Sequence, residues 1–270
     1  MPFNYKKVLV VGGTSGIGEA MAEKFIENGI SVVVVGRRQE NLDALAKKYS
    51  QSSGQIETAA FDITDLKGIP KFAKEMTSKH ADLDCVFLNA GMQRHLNWKE
   101  PESVDLDLLE AEFTTNYLSY MHLTKAFLPF LQKQAPKETS MVYVSSGLAL
   151  VPIVYCPNYC ASKAALHHMC LAMRLQMKEA KSKVKIIELL PPAVQTELHD
   201  DKHQPEFKGK GRQVGMPLKD FVEEAWEGLN SGENEQVAVE KVHSAMGFYE
   251  WEQERQKKMV GMYEMMKGQR

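Results

Sequence analysis

The chain has no surplus of charge of either sign: 33 basic residues against 35 acidic ones leave a formal net charge of −2 over 270 residues. That excludes a nucleic-acid partner held by bulk positive charge. No apolar run reaches the ~18 residues of a membrane span, so no membrane partner is expected. No stretch rich in proline, glycine and serine divides the chain, and no internal repeat is visible. One domain is therefore the economical reading. Cysteine is scarce, at Cys85, Cys156, Cys160 and Cys170. Without a secretory signal, reduced thiols are expected rather than two bridges. Cys156 and Cys160 have no further ligands at metal spacing, so no metal is expected. The first apolar run starts within about six residues of Met1, which leaves no space for a cleaved leader. The expected location is the cytoplasm.

What is present is an ordinary globular composition, 44% hydrophobic and 25% charged, which rules out disorder and a collagen-like repeat. Short β-branched runs alternate with helical patterns. Strands are read at Val8–Val11, Ser31–Val35, Ile56–Phe61, Cys85–Leu88, Ser140–Val144, Val184–Leu190 and Val237–Val239. Helices are read at Glu19–Asn28, Glu40–Tyr49, Leu66–Lys79, Leu106–Leu131, Asn158–Ala180 and Lys219–Asn230. Strands apolar on both faces, alternating with helices, predict an α/β fold: a doubly wound parallel sheet of about seven strands with helices on both faces. Residues 1–242 would carry it. Residues 243–270 read as a helical extension of the same domain, with Phe248, Trp251, Met259, Met262, Tyr263 and Met266 forming an apolar stripe. The polar stretch Ala193–Pro217 reads either as a surface loop or as a lid over a pocket.

The first strand runs into Gly12-Gly13-Thr14-Ser15-Gly16-Ile17-Gly18, and a helix follows. A phosphate needs close approach to backbone N–H groups, and a helix N-terminus adds positive partial charge. The position of these glycines between strand and helix is the signature of a dinucleotide site. The second strand ends in Gly36-Arg37-Arg38, where a NAD site places a carboxylate for the ribose hydroxyl. Two guanidinium groups suit a 2′-phosphate instead, so NADP(H) is favoured over NAD(H).

Tyr159 and Lys163 are four apart on a predicted helix and share one face. A free tyrosine, with a pKa of about 10, is a poor acid–base catalyst at neutral pH. A neighbouring ammonium is expected to lower that value. Ser146 lies thirteen residues before Tyr159. It ends the fifth strand, where carboxyl ends line the ligand crevice, and is placed to bond the same substrate oxygen. Asn89-Ala90-Gly91 ends the fourth strand, where small residues admit a cofactor.

With these motifs in order, the chain resembles the short-chain dehydrogenase/reductase family over about residues 5 to 240. The resemblance rests on Gly12-x-x-x-Gly16-x-Gly18, Asn89-Ala90-Gly91, Ser146 and Tyr159-x-x-x-Lys163. It implies that Tyr159 donates and accepts the proton. Lys163 would lower the tyrosine pKa and bind the nicotinamide ribose, and Ser146 would polarise the carbonyl. Asn116 matches the member that holds a relay water. Asp62, followed by Ile63, matches the adenine contact, and Arg37 the basic residue of NADP-preferring members. After the sixth strand, Leu190-Pro191-Pro192 replaces the usual Pro-Gly. Pro191, Val194 and Thr196 still match cofactor positions. The run Glu188–Leu198 resembles the DltE-type branch.

The expected activity is hydride transfer between nicotinamide and a small-molecule carbonyl or secondary alcohol. A non-catalytic NADP(H)-binding sensor or scaffold is the alternative. The substrate pocket would be built from residues 91–97, 147–155 and 193–217. Leu148, Leu150, Val151, Ile153, Val154 and Tyr155 would make an apolar wall, and His95 reads as a surface residue or a polar contact. A homodimer or homotetramer is expected by resemblance alone.

Overall fold

A computed structural model describes residues 3–51, 56–200, 204–232 and 235–267. Seven strands form one sheet in the order β3-β2-β1-β4-β5-β6-β7, with every neighbouring pair parallel. They are β1 Lys7–Val11, β2 Ser31–Gly36, β3 Ile56–Ala60, β4 Cys85–Leu88, β5 Thr139–Val144, β6 Val184–Leu190 and β7 Gln236–Ala238. The central strands are apolar on both faces because both are covered. Val8 and Val10 point into a core shared with α1 (Gly16–Glu27), α2 (Gln39–Lys48) and α7 (Leu218–Ser231). Leu9 and Val11 point to the opposite core. There they meet α3 (Ile69–Lys79), α5 (Ser119–Gln132) and α6 (Pro157–Glu179). This is the expected doubly wound α/β fold. The strand order reverses on either side of β1, so a crevice opens beyond the ends of β1 and β4.

Two helix readings are corrected. The expected helix Leu106–Leu131 is divided into α4 (Leu106–Phe113), a π-helical turn (Thr114–Leu118) and α5. The π turn carries Asn116, which is buried. Periodicity alone does not register one inserted residue. Pro129 does not end the helix, because a proline in the last turn sacrifices only one hydrogen bond.

The tail is the second correction. It forms α8 (Glu240–Met246), a π-helical turn (Phe248–Glu252) and α9 (Gln253–Lys267). Gly247 stops α8 with φ +62°, a left-handed cap that redirects the chain. Phe248 is buried and Trp251 packs against the core, but Met262 and Met266 are exposed. The expected apolar stripe is thus buried only at its start, around Phe248 and Trp251.

The tail is tied down by buried charge. His167 of α6 places Nδ1 2.9 Å from Glu188 of β6 and Nε2 3.1 Å from Glu252, all three being fully buried. Arg255 pairs with Glu252. It also approaches His167 Nε2, but a protonated imidazole only donates, so Glu252 is the hydrogen-bond partner. Burial disfavours the charge on His167, yet the two carboxylates outweigh it and push the imidazole up to about 9. Burial also opposes the Glu252 charge, and His167 overcomes it, lowering that carboxyl to about 2.

The raised histidine stabilises the fold fully below its unfolded value of about 6.5, and that contribution is lost as pH climbs through 9. The depressed glutamate contributes above its unfolded 4.5 and loses that contribution on acidification toward 2. Melting temperature is therefore expected to plateau between these unfolded values and to fall by several degrees toward pH 9. A thermal-shift series on His167→Gln should lack the alkaline fall; a fall of wild-type size would show that other groups cause it.

Candidate active site

The glycine loop closes on β4 at contact distance. Gly12 has φ +81°, and a Cβ there would stand 2.5 Å from the Ala90 Cα. A Cβ on Gly18 would lie 2.1 Å from the Gly12 carbonyl oxygen, which instead accepts from Asn89 Nδ2 at 2.9 Å. These contacts set Asn89-Ala90 beside the loop, and Tyr120 of α5 donates to the Ala90 carbonyl at 2.7 Å. Ser15 is the N-cap residue of α1, and Ile17 packs on the core below. Thr196 lies across Gly16, 3.1 Å from the position of its would-be Cβ. The loop after β6 therefore meets the glycine loop from the other side. Val194 is buried and pairs with Met216. The Pro191 carbonyl accepts from Gly147 N at 2.8 Å, so the double proline also anchors the turn after β5.

The two arginines separate. Arg38 lies over the glycine loop, donating to Ser15 Oγ at 2.6 Å, to the Thr14 carbonyl at 3.2 Å and to Glu197 at 2.8 Å. Arg37 is 71% exposed and stands 3.5 Å from Asp62. Asp62 also accepts from Thr64. The Ile63 side chain faces the core at 6% exposure, so only its backbone remains for a ligand.

At the far end of the crevice, Ser146, Tyr159 and Lys163 converge, all buried. The Ser146 hydroxyl accepts from Leu148 N at 3.1 Å and lies close enough to the Tyr159 phenol to influence its titration. Lys163 Nζ donates to the Val144 carbonyl at 2.9 Å and lies 5.6 Å from the Tyr159 ring centre. Burial pushes the Tyr159 phenol up, while the nearby Ser146 hydroxyl acts in the lowering sense. Burial lowers the Lys163 ammonium to about 8. The expected depression of Tyr159 by Lys163 is therefore absent here, because desolvation of the phenol outweighs a cation held toward β5. The phenol is held protonated.

Asn116 lies across the crevice. Its Oδ1 accepts from Met92 N at 2.8 Å, and its Nδ2 donates to the Met92 carbonyl and to Ser162 Oγ. A Cβ on Gly91 would enter the space between Asn116 Oδ1, at 3.7 Å, and Lys163 Nζ, at 3.8 Å. Glycine keeps that space clear. The cleared floor, the helix N-terminus and the exposed guanidinium fit a dinucleotide phosphate at one end and a flat ring at the other.

Val151, Ile153, Val154 and Tyr155 are exposed apolar residues, whereas Leu150 is buried in the core and Leu148 packs on Tyr159, Cys156 and Cys160. His95 is exposed, with its ring 6.2 Å from Tyr155. The Ala193–Pro217 stretch contains three 3-10 turns, and residues 201–203 lie outside the described residues. It is pinned by Arg38–Glu197 and by Gln204, which donates to the Gln93 side chain at 3.0 Å. Gln93 in turn donates to Cys156 Sγ. Glu112 and Asn158 were not among the expected site residues, and Gln93 and Glu197 fell only within the expected pocket stretches; their partners lie far apart along the chain, so no local spacing singles them out.

This is the geometry of a nucleotide-binding oxidoreductase, and the chain belongs to the short-chain dehydrogenase family, on its DltE-type branch; the family profile described as short chain dehydrogenase matches residues 6–206. The chain is 32% identical over 239 residues to "Uncharacterized oxidoreductase DltE" of Bacillus subtilis, covering 87% of this chain and 88% of that one. Two solved structures share the fold. A short-chain dehydrogenase/reductase from Burkholderia phymatum in complex with NAD superposes with a TM-score of 0.80 at 17% identity, over 91% and 92% of the two chains. A short-chain dehydrogenase from Sphingobium yanoikuyae in complex with NADPH gives 0.77 at 23% identity, over 94% and 95%. Among the described residues, no helix is long and apolar enough to cross a membrane.

Proposed function

We propose that the protein is an NADP(H)-dependent oxidoreductase that interconverts a carbonyl and a secondary alcohol, with Tyr159 giving and taking the proton. The observation that carries this reading is the convergence of Ser146, Tyr159 and Lys163, buried together at the carboxyl end of β5, with Lys163 Nζ on the Val144 carbonyl and 5.6 Å from the Tyr159 ring centre. The cofactor supplies the hydride. The glycine loop and the α1 N-terminus would hold its pyrophosphate, Arg37 its 2′-phosphate, and Gly91 the face of its nicotinamide.

The chain's own part is acid–base chemistry and placement. A carbonyl oxygen within reach of both hydroxyls accepts from Ser146 and Tyr159. That polarises the carbon toward hydride and provides the proton that the forming alkoxide needs. A phenol kept protonated by burial is the form required for reduction. Lys163, fixed on the Val144 carbonyl, holds positive charge below the phenol, where it stabilises the tyrosinate left behind. The exposed apolar side chains of residues 151–155 favour an apolar or aromatic group on the substrate.

The test is turnover. The purified protein is mixed with NADPH and a panel of aldehydes and ketones, and loss of reduced-nicotinamide absorbance is followed. Tight NADPH binding with no consumption across the panel would favour a cofactor-binding protein without catalysis.

A further inference from the structure

α4 places its charge against expectation. It exposes Leu106 and Leu108 at 60% and 43%, and buries Glu112 at 1%. A buried carboxylate is costly unless donors satisfy it. Glu112 has one donor on each oxygen: Arg94 N to Oε1 at 2.7 Å, and Asn158 Nδ2 to Oε2 at 2.6 Å. Burial raises the Glu112 carboxyl above the usual carboxylate range and both donors act in the lowering sense; the atoms facing its oxygens are N–H donors with no acceptor for a carboxyl O–H, so the geometry favours the ionised form.

Both donors belong to the catalytic surroundings. Asn158 precedes Tyr159 in the first turn of α6 and also donates to the Leu109 carbonyl of α4. Arg94 follows the Asn89-Ala90-Gly91 floor by three residues. Asn116, one turn further along the same helical run, repeats the pattern by gripping Met92 in that loop and Ser162 on α6. Glu112 and Asn116 are thus two rungs joining the cofactor floor to the catalytic helix, and only Glu112 carries charge.

We propose that Glu112 is a positioning residue whose buried negative charge sets the pH at which the Tyr159–Lys163 pair exchanges its proton. This rests on the reading of Tyr159 as proton donor. The ionisable groups facing Glu112 are Arg94 from the loop after β4, Cys156 just before α6, Tyr159, Cys160 and Lys163 on α6, and Asp200 behind Arg94 in the loop after β6. A negative charge disfavours tyrosinate and favours ammonium, so it raises both members of the pair; the charge on Glu112 acts in that sense on each. The pair titrates as a unit, and its limb in a pH–rate profile reports both groups.

Glu112→Gln removes the charge at nearly the same shape: its carbonyl can keep the bond from Arg94 N, while its amide meets Asn158 Nδ2, which the Leu109 carbonyl holds in place, so thermal melting first checks that the variant folds. The assay uses saturating NADPH with acetophenone as first probe for reduction, and NADP+ with the corresponding alcohol for oxidation, from about pH 5 to about pH 10. The limb is expected to move down by roughly half to one pH unit in both directions. Reduction then fails at lower pH and oxidation begins at lower pH, while NADPH affinity stays within about twofold. Arg94→Gln is the second variant and decides if Glu112→Gln does not fold. Its backbone donor to Glu112 is untouched, and losing the cation leaves the carboxylate less compensated, so the same limb moves up.

A limb that stays in place in a folded Glu112→Gln protein, or one that moves up, overturns the proposal. So does an unmoved limb in Arg94→Gln, or a wild-type profile with no limb in this range. If Tyr159→Phe is inactive while the limb is fixed, only the role of Glu112 fails. If Tyr159→Phe keeps wild-type turnover, the proton-donor reading itself has failed.

Discussion

Tyr159→Phe should lower kcat for carbonyl reduction by about a thousandfold, the middle of the range that a positioned general acid contributes. The substitution removes one oxygen and leaves a ring of the same shape against Leu148, Cys156 and Cys160. Cofactor affinity is expected to change by less than about threefold, because the pyrophosphate and 2′-phosphate sites proposed above would lie at the other end of the crevice. Ser146 keeps a partner in Leu148 N, which donates to its hydroxyl at 3.1 Å, so the turn after β5 should hold. Stopped-flow turnover at saturating NADPH, with an equilibrium cofactor titration on the same preparation, separates the two quantities. Retention of more than about a tenth of wild-type kcat would place the proton donor elsewhere.

The second large effect concerns the other end of the cofactor. Arg37→Ala should weaken NADPH binding by about 10- to 100-fold and NADH binding by less than about twofold, because a charge-assisted contact to a phosphate contributes roughly 1.5–3 kcal/mol. The guanidinium is mostly exposed, and its partner Asp62 is itself 43% exposed. A surface pair of this kind adds little to stability, so the fold should be indifferent to its loss. Arg38→Ala provides the contrast. That side chain ties Ser15, Thr14 and Glu197 together across the phosphate loop, so its removal should weaken both cofactors alike. Equal losses of NADPH and NADH in Arg37→Ala would remove the case for a 2′-phosphate at this position.

The parts of the site that could be read along the chain are those set by short spacings. Tyr159 and Lys163 are four apart, and a helix must put them on one face. Gly12, Gly16 and Gly18 sit between a strand and a helix, and the backbone there must come close to a neighbour. Glu112 is different, because its donors come from Arg94 and Asn158, 18 and 46 residues away. No local pattern says that a glutamate on a helix with exposed leucines is the residue that turns inward. The same holds for His167, Glu188 and Glu252, which meet from three separate elements. Gln204 and Gln93 are 111 residues apart, and only folding makes them neighbours.

The sequence alone therefore determined the α/β architecture, the position of the glycine loop and the placing of Tyr159 and Lys163 on one helix face, because alternation of strand and helix and helical periodicity are local consequences of side-chain size and polarity. Tertiary packing decided the charge state of the site. Burial raises the Tyr159 phenol and lowers the Lys163 ammonium, and desolvation depends on what the whole chain folds around a group, not on its neighbours in sequence. Packing also decided the helix interruption at Asn116, whose side chain bonds Met92 and Ser162 on other elements.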